Sequence, residues 1–486
     1  MAQTDDQTLT SVHSPLSSGE LPDVALLLMV GSAEEPALPA TRRLLFVGDQ
    51  LELGRRASEE SRPGVHTALL SDTLVSGHHA RITRSPDDGY ELSDLGSKNG
   101  TWVDNVRVEG RVRLRDGAVI FVGNHAGIFR LASAIEVEAI KNELINPLGP
   151  VPTVCPTLAV ACDRLRRLAA SDSELLILGE TGAGKEVYAR AVHLVSGRKG
   201  RFVAINCGAI PRELVESELF GYRQGAHSTA HQAKPGLIEE AEGGTLFLDE
   251  IGEMTDEAQI KLLRFLQDRE LTPLGSTRPR RIDVRVIAAT NRTAPGSAGK
   301  ATAGLRDDIL ARLGAAPIHL PPLRNRIEDL GVLIAHFLRA TPEVKLEQPA
   351  FRALCLHTWP LNVRELEKII STSAILTSVG KAIALRDLPE PIARAASVPV
   401  VVAGGDDGAA AVASPGGPVG AGAAGGAPRR IAGPSPTPAQ LEELLKRYDG
   451  NVADVSRELG KHRAAVWRWL KKFGIGPQKY RKDAGE

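Results

Sequence analysis

Residues 179–185 form a glycine-rich loop whose composition suits phosphate binding. The loop reads Gly-Glu-Thr-Gly-Ala-Gly-Lys, follows the apolar run Leu175–Leu178 directly, and precedes a helical pattern over residues 187–194. Glycines let backbone N–H groups curl around phosphate oxygens, the helix N-terminus adds positive potential, and a lysine reaches the terminal phosphates. This order of strand, loop and helix predicts a P-loop. The residues expected to bind ATP there are Gly179, Glu180, Thr181, Gly182, Ala183, Gly184, Lys185 and Glu186.

A pair of carboxylates supplies the chemistry that a P-loop alone lacks. The apolar run 246–248 ends in Asp249 and Glu250. One carboxylate suits Mg²⁺ bound through water, here Asp249, and the other polarises the attacking water. Position 186 is Glu where a P-loop usually has Ser or Thr, so Mg²⁺ must depend on groups such as these. The pairing predicts ATP hydrolysis.

The composition bounds the kind of protein that carries this site. The chain has 486 residues, 42% of them hydrophobic, and a formal net charge of +0. Two to four domains are therefore expected, and a wholly basic nucleic-acid coat protein is excluded. Four scattered cysteines favour reduced thiols in a cytosol. Because no signal peptide or long apolar span is visible, we expect a cytoplasmic, nucleoid-associated protein with no membrane partner.

Changes of pattern along the chain divide it into segments. Short apolar runs between turn residues over 23–133 predict an all-β domain. Compact apolar runs alternating with amphipathic stretches over 148–390 predict a parallel α/β sheet. Residues 1–22 are expected to be disordered, 395–437 form an Ala/Gly/Pro linker, and 438–478 are expected to be all-helical.

Over residues 150–390 the sequence resembles the AAA+ domain of sigma-54-dependent transcription activators. The resemblance is carried by motifs along the whole segment, namely residues 180–186, 202–207, 216–221, 243–253, 284–292, 320–326 and 359–365. In that family Glu after the P-loop lysine is normal. The resemblance implies that Asn206 restrains Glu250, that Thr290 and Asn291 sense the γ-phosphate, and that Arg364 is a second sensor on the lid. Leu361 replaces the customary glycine in the turn before Arg364.

Two arginines of this segment imply a ring. Arg306 and Arg312 fall where the family places arginine fingers, which stabilise the transferring phosphoryl group of a neighbouring subunit's ATP. A homo-oligomer, a hexameric ring by the resemblance, is therefore expected. The alternative is that two arginines six apart on a helix form a solvated face.

The loop that contacts sigma-54 departs from the family pattern. The family carries Gly-Ala-Phe-Thr-Gly-Ala, and the matching residues here are Gly225, Ala226, His227, Ser228, Thr229 and Ala230. His227 loses the aromatic face, and Thr229 adds a β-branched side chain where Gly allowed a tight turn. ATP hydrolysis is therefore better supported by the sequence than contact with sigma-54.

Three motifs occur in order inside the β-rich segment, namely Gly54-Arg55, residues 76–79 and residues 94–101. Together they resemble a forkhead-associated (FHA) domain, a β-sandwich that binds phosphothreonine peptides. A phosphate dianion is bound best by a guanidinium and by hydroxyl or amide donors held on a rigid scaffold. The resemblance assigns the phosphate to Arg55 and Ser76, the peptide main chain to Asn99, and a bracing role to His79. Gly77 stands where a basic residue is more usual, and the alternative is a generic sandwich whose turns carry these residues.

The C-terminal segment is basic and helical in pattern. Residues 436–486 contain eleven Lys and Arg against seven Asp and Glu, a net charge of +4 in a neutral chain. Gly460 separates two short helical patterns, as a helix-turn-helix requires. The segment resembles the Fis-type helix-turn-helix that closes such activators. The residues expected to face DNA are His462, Arg463, Ala465, Arg468 and Lys471. A three-helix dimerisation bundle is the alternative.

Together these features predict a transcription regulator that couples phosphothreonine sensing to ATP hydrolysis and promoter opening. Its expected partners are upstream DNA, sigma-54 RNA polymerase, and a phosphothreonine protein or Ser/Thr kinase. The alternative, favoured by the altered contact loop, is a sigma-54-independent DNA-binding regulator or a phosphopeptide-binding scaffold.

Overall fold

The computed structural model describes most of the chain. The described residues are 23–36, 43–56, 64–87, 89–225, 232–291, 305–314, 317–377, 381–397 and 438–448, with Val455, Leu470, Phe473, Ile475 and Lys479. The expected disordered N-terminus and most of the expected linker lie outside these residues. The chain divides into two units, Met1–Val412 and Ala413–Glu486.

The first part of the larger unit is all-β, as the turn-punctuated apolar runs predict, and it is a β-sandwich, as the resemblance to an FHA domain implies. One sheet has the order β2-β1-β11-β10-β7-β8 and the other β4-β3-β5-β6-β9. Their facing apolar side chains, such as Leu27, Leu53 and Phe129, form one core. The strands are β1 Val24–Ser32, β2 Leu44–Phe46, β3 Gln50–Gly54, β4 Val65–Leu69, β5 Ala80–Arg84, β6 Tyr90–Asp94, β7 Thr101–Val103, β8 Val106–Arg107, β9 Arg111–Leu114, β10 Val119–Val122 and β11 His125–Ala132.

A parallel α/β sheet follows. Its order is β13-β14-β17-β12-β18, and every neighbouring pair is parallel. The carboxyl ends of parallel strands meet at one edge, where ligands of such folds bind. The elements are α1 Ala134–Ile145, α2 Pro156–Ala169, β12 Leu175–Leu178, α3 Lys185–Ser196, β13 Phe202–Asn206, α4 Arg212–Phe220, α5 Leu237–Glu240, β14 Thr245–Asp249, α6 Asp256–Asp268, β15 Glu270–Leu271, β16 Arg280–Arg281, β17 Arg285–Thr290, α7 Asp307–Leu313 and β18 Ile318–His319.

A helical lid completes this unit. Its elements are α8 Leu330–Phe337, β19 Lys345–Leu346, α9 Gln348–Leu356, α10 Asn362–Leu376, β20 Ala382–Ile383 and α11 Glu390–Ser397. Trp359 is fully buried at the centre of the lid, and its indole N–H donates to the Leu354 carbonyl at 3.1 Å. The lid thus has its own apolar core, which its amphipathic helices predict.

The β-sandwich and the lid share that core, which the sequence did not predict. Val30, Phe121 and Ile128 of the sandwich pack in one cluster with lid residues such as Leu330 and Phe351. Hydrogen bonds cross the same boundary, from Leu346 N to Ala33 O and from Gln348 Nε2 to Gly123 O. The two modules are therefore joined by a packed interface and not only by the chain between them.

A buried ion pair lies in this interface. The guanidinium of Arg130 on β11 donates to both carboxylate oxygens of Glu328 at 3.1 Å, and Glu328 is fully buried. Burial alone would lower the pKa of Arg130, but the Glu328 carboxylate outweighs burial and raises it. An unpaired charge at this depth would be costly, so the pair ties the sandwich to the lid.

A stacked arginine adds a second contact. The guanidinium of Arg352 on α9 lies 4.0 Å from the ring centre of Trp102 and 5.0 Å from that of Phe121. Within the described residues its buried Nε and Nη2 atoms make no hydrogen bond. Burial lowers the pKa of Arg352 to about 10. Trp102 on β7 directly follows the predicted phosphothreonine loop, so this contact connects that loop with the lid.

In the smaller unit the structure describes one helix and a few further residues. The helix is α12 Pro438–Arg447, and Leu441 and Leu445 pack with Val455 and Leu470. The residues expected to face DNA lie outside the described residues. No helix in the described part of the chain is long and apolar enough to span a bilayer.

Candidate functional site: a nucleotide cleft and a phosphopeptide-binding loop cluster

The glycine-rich loop forms at the carboxyl end of β12. Gly182 and Gly184 have φ of +78° and +99°, which L side chains rarely adopt, and α3 begins at Lys185. Lys185 is buried, and its Nζ donates to Gly179 O at 3.1 Å. The conformation is thus a turn that directs the start of α3 into the cleft.

The predicted carboxylates lie opposite this loop. Glu250 has φ of +51°, and its Oε1 lies 3.6 Å from Lys185 Nζ. Its Oε2 accepts a hydrogen bond from Asn291 N at 3.4 Å, at the end of the strand between β12 and β14. Burial raises the pKa of the neighbouring Asp249 carboxyl, Glu250 acts in the same direction, and Lys185 opposes both. The sheet edge therefore brings Lys185, Asp249, Glu250 and Asn291 together.

Asn206 lies beside these residues without contacting Glu250. It is aligned with Asp249 across β13 and β14, and its Oδ1 accepts from Gly208 N at 2.9 Å. Between these described side chains there is no hydrogen bond from Asn206 to Glu250. The restraining role of Asn206 stays a prediction, which would require its amide to turn toward Glu250.

The lid reaches the glycine-rich loop at the start of α10, where Val363 N donates to Gly182 O at 3.1 Å. A Cβ added to Gly182 would lie 2.3 Å from the Leu361 carbonyl oxygen and 3.2 Å from Arg364 Cβ. Arg364 is exposed, and among the described residues it has no ion-pair partner. Leu361 has φ of −105°, outside the positive-φ region that favours glycine, so the customary glycine is not needed there. Positive φ occurs instead at Trp359 and Asn362, at +51° and +58°.

Sequence reasoning missed two residues that hold the loop to the lid. Arg324 donates to Glu180 at 2.8 Å, and Asn362 Nδ2 donates to the same carboxylate at 3.2 Å. The hydrogen bond from Arg324 lowers the pKa of Glu180 below its ordinary value. Both residues lie in stretches that matched the family pattern, but no local spacing links them to a loop so distant in the chain.

The two proposed finger residues lie at the ends of α7. Arg306 precedes the helix and forms an ion pair with Asp308 at 2.9 Å. Arg312, in the last turn, donates to Leu266 O at 3.2 Å. Both side chains are substantially exposed, at 41% and 46%. They are thus accessible to a neighbouring subunit, and their role stays a prediction.

Of the predicted sigma-54 contact loop only Gly225 is described. It is exposed, with φ of +80° and no atom within 4 Å of an added Cβ. The residues Ala226, His227, Ser228, Thr229 and Ala230 lie outside the described residues.

The sandwich gathers its predicted phosphothreonine residues from three loops. Ser76 Oγ accepts from Lys98 N at 3.1 Å, and Asn99 Nδ2 donates to Leu74 O at 2.7 Å. Arg55 N donates to Ser76 O at 3.0 Å, which joins the third loop. Arg55 and Asn99 are exposed, and Ser76 is half-buried. The structure therefore brings all three residues to one end of the sandwich.

His79 braces two of these loops from beneath. Its Nδ1 accepts from Ser76 N at 3.0 Å, and its Nε2 lies 3.2 Å from Gly100 O. The ring must therefore be neutral, with the proton on Nε2. Burial lowers the pKa of this fully buried imidazole, which favours the neutral form.

These two sites define a class of protein: a P-loop ATPase of the AAA+ type joined to a phosphopeptide-binding type of sandwich. The family model described as Sigma-54 interaction domain matches residues 153–319. The model described as FHA domain matches 51–123, and that described as AAA+ ATPase lid domain matches 324–400.

Curated relatives give the family. The regulatory protein AtoC of Escherichia coli is 37% identical over 71% of this chain and 74% of its own length. XylR of Pseudomonas putida is 44% identical over 48% of this chain, and NtrC of Azospirillum brasilense is 47% identical over 44%. This chain spans 42% and 45% of those two proteins. A crystal structure of NtrX from Brucella abortus in complex with ATP is 28% identical, with a TM-score of 0.45, over 70% of this chain and 74% of that one. The chain belongs to the family of sigma-54-dependent transcription activators and carries an FHA domain.

Proposed function

We propose that this protein is a cytoplasmic transcription regulator whose ATP-hydrolysing ring acts on sigma-54 RNA polymerase under the control of a phosphothreonine signal. The single observation that carries the proposal is the sheet edge where Lys185, Glu250 and Asn291 meet at the glycine-rich loop. Residues of these three types take part in the hydrolysis of nucleoside triphosphates by P-loop enzymes.

Each residue of the cleft has a separate role in ATP hydrolysis. The loop N–H groups and Lys185 bind the ATP phosphates, and Glu250 polarises the attacking water. The Asp249 carboxylate is a hard oxygen donor facing the cleft and so suits Mg²⁺, which neutralises developing phosphate charge when bound. Because Lys185 now lies beside Glu250, phosphate binding to the lysine frees this carboxylate for water. Arg364 contacts the phosphates from the lid.

The ring completes the cleft. Arg306 and Arg312 belong to the neighbouring subunit's ATP site, where guanidinium charge stabilises the transferring phosphoryl group. Arg306 must leave Asp308 to do so. The family resemblance favours a hexamer, and turnover then depends on protein concentration.

Signal input comes through the FHA domain. Arg55 and Ser76 bind the phosphate of a phosphothreonine protein or Ser/Thr kinase, and Asn99 binds the peptide main chain. The route to the motor is the shared core with the lid, where Trp102 stacks on Arg352. A peptide that moves the 94–101 loop therefore changes the lid's position against the nucleotide.

Signal output requires DNA and the polymerase. The basic C-terminal segment, with His462, Arg463, Ala465, Arg468 and Lys471, tethers the ring upstream of a promoter. The loop 225–230 contacts sigma-54 in an altered form because His227 and Thr229 replace the family's Phe and Gly. These same substitutions favour the second candidate, a regulator that acts without sigma-54.

The first test is ATP turnover by the full-length protein as a function of its concentration. Glu250→Gln should lower turnover by about 10²- to 10⁴-fold while ATP still binds, since only water activation is removed. The exposed Glu257→Gln on α6 is the matched control and should leave turnover unchanged. Turnover that is independent of concentration would contradict the ring.

Adding sigma-54 separates the two candidates. Nucleotide-dependent binding of sigma-54 supports promoter opening by the polymerase. Cooperative hydrolysis without that binding favours sigma-54-independent regulation, and absence of turnover favours a phosphopeptide-binding scaffold.

A further inference from the structure

Gly77, next to the predicted phosphate ligand Ser76, leaves a space that another loop fills. A Cβ added to Gly77 would lie 3.2 Å from Cδ and 3.5 Å from Nε of Arg56. The Arg56 side chain therefore lies directly over the Gly77 backbone. A larger side chain at position 77 would compete with Arg56 for the same volume.

Backbone hydrogen bonds fix this crossing. Arg55 N donates to Ser76 O at 3.0 Å, and Arg56 N donates to Gly77 O at 3.1 Å. The loops approach so closely that a Cβ added to Gly54 would lie 2.1 Å from Gly77 O. The base of the Arg56 side chain thus has a fixed position beside Arg55 and Gly77.

Arg55 and Arg56 face one open pocket of about 590 Å³, with Gly77, His78 and Leu95 as its other lining residues. Among the described residues no carboxylate lines this pocket, and neither guanidinium has an ion-pair partner there. The pocket therefore presents two guanidinium groups and has room for a group larger than one phosphate.

His78, the third polar side chain that lines the pocket, is held in place by a buried carboxylate. His78 Nδ1 bonds to the buried carboxylate of Glu52, which also accepts from Arg81 at 3.2 Å. Burial alone would raise the pKa of Glu52, but the hydrogen bonds from His78 and Arg81 outweigh it and lower that pKa. Glu52 thus stays ionised beneath the pocket and fixes one wall of it.

We propose that Arg56 is a second phosphate-binding residue, which supplies from the Arg55 loop the positive charge that position 77 lacks. The inference rests on the proposed phosphothreonine recognition. Two guanidinium groups suit a phosphate dianion, whose three terminal oxygens exceed what one forked donor can satisfy. Gly77 is required because it leaves the Arg56 side chain room to cross.

The test measures binding of the full-length protein to a fluorescent degenerate phosphothreonine peptide library, with the unphosphorylated threonine library as reference. Arg56→Ala should weaken binding about tenfold, the usual size of a charge-assisted hydrogen bond. It should also lower the dependence of binding on salt. Arg111→Ala removes the same charge from strand β9, where the arginine side chain is 81% exposed, and should leave binding unchanged.

A charge exchange makes the test specific for position. Arg56→Ala combined with Gly77→Arg returns a guanidinium to the pocket from the other loop, and binding should recover most of the loss. Unchanged thermal unfolding of Arg56→Ala excludes misfolding as the cause. If Arg56→Ala loses peptide affinity and the double variant does not recover it, the proposal that Arg56 supplies the charge missing at position 77 is overturned.

Failure of the inference can be told from failure of the proposed function. If the wild-type protein does not prefer the phosphorylated library, phosphothreonine recognition itself is wrong. If the wild type prefers that library, Arg55→Ala loses the preference and Arg56→Ala keeps full affinity, only the role of Arg56 is overturned.

Discussion

The two proposed phosphate-binding regions of this molecule use different parts of the chain. The nucleotide loop depends on its backbone, with Gly182 and Gly184 at positive φ and N–H groups at the start of α3. The proposed phosphothreonine site depends on side chains, Arg55, Ser76 and Asn99, collected from three loops of a sandwich. A backbone site tolerates little change at its glycines, whereas a side-chain site can exchange one donor for another, as Arg56 and Gly77 illustrate.

The regions also differ in their supports. The nucleotide cleft lies at the edge of a parallel sheet, where strand order alone places β12, β17 and β14 side by side. The phosphothreonine loops are supported by a buried His79 and by a sandwich that packs on the lid. The lid contacts both the nucleotide loop, where Val363 N donates to Gly182 O at 3.1 Å, and the sandwich, where Arg352 stacks on Trp102.

Removing the buried ion pair tests how strongly the sandwich and the lid depend on each other for stability. Arg130→Ala leaves Glu328 buried without its partner and should lower the free energy of unfolding by about 3–5 kcal/mol. Glu328→Gln should cost less, because the buried carboxamide is neutral and Arg130 keeps its ion pair with Asp116 at 3.3 Å. The measurement is chemical denaturation of the full chain.

A control pair on the same sandwich defines the expected background. Arg113 pairs with Asp87 where both side chains are more than half exposed. Arg113→Ala should therefore change stability by less than about 1 kcal/mol. Equal losses for Arg130→Ala and Arg113→Ala would show that the sandwich and lid are not joined by the buried pair.

The dependence of the nucleotide loop on its backbone can be tested at Gly182. Gly182→Ala places a methyl group 2.3 Å from the Leu361 carbonyl oxygen at a positive φ. We expect ATP affinity to fall about tenfold or more, because the loop or the lid must shift. Nucleotide binding measured by calorimetry tests this.

Gly197→Ala is the matched control for Gly182→Ala. Gly197 also has positive φ, +71°, but no atom lies within 4 Å of an added Cβ. It should lose about 1 kcal/mol of stability from backbone strain and keep ATP affinity. If both variants bind ATP equally well, the close approach of the lid does not matter for nucleotide binding.

The sequence predicted each site where its residues are local in the chain. Residues 179–186 and 249–250 lie next to apolar strands, so the cleft could be predicted, and the sandwich and the parallel sheet are confirmed. Arg324 and Asn362 could not be predicted as partners of Glu180, because their contact depends on how the lid folds back. The same holds for Arg130 and Glu328, which meet only when two modules dock.

The phosphothreonine site should respond to pH through its brace. Because burial lowers the pKa of His79, its stabilising effect is complete above the ordinary value near pH 6.5. That effect is lost as the pH falls through the lowered pKa, when Nδ1 can no longer accept from Ser76 N. Wild-type protein should thus lose more stability between pH 7.5 and pH 5 than His79→Gln does.

Urea unfolding at both pH values measures this difference. The exposed His66→Gln is the control and should keep the wild-type pH dependence. An equal response of His79→Gln and wild type would mean that the imidazole does not brace the loops.

The smallest expected effect concerns the turn before Arg364. Restoring the family's glycine by Leu361→Gly should not improve ATP binding, because Leu361 already has φ of −105° without strain. The glycine should instead lower stability by roughly 0.5–1 kcal/mol, since it increases the freedom of the unfolded chain. Thermal unfolding and ATP titration of this one variant measure both quantities. A gain in ATP affinity would show that the 57% exposed leucine, and not the backbone, limits the approach of the lid to the loop.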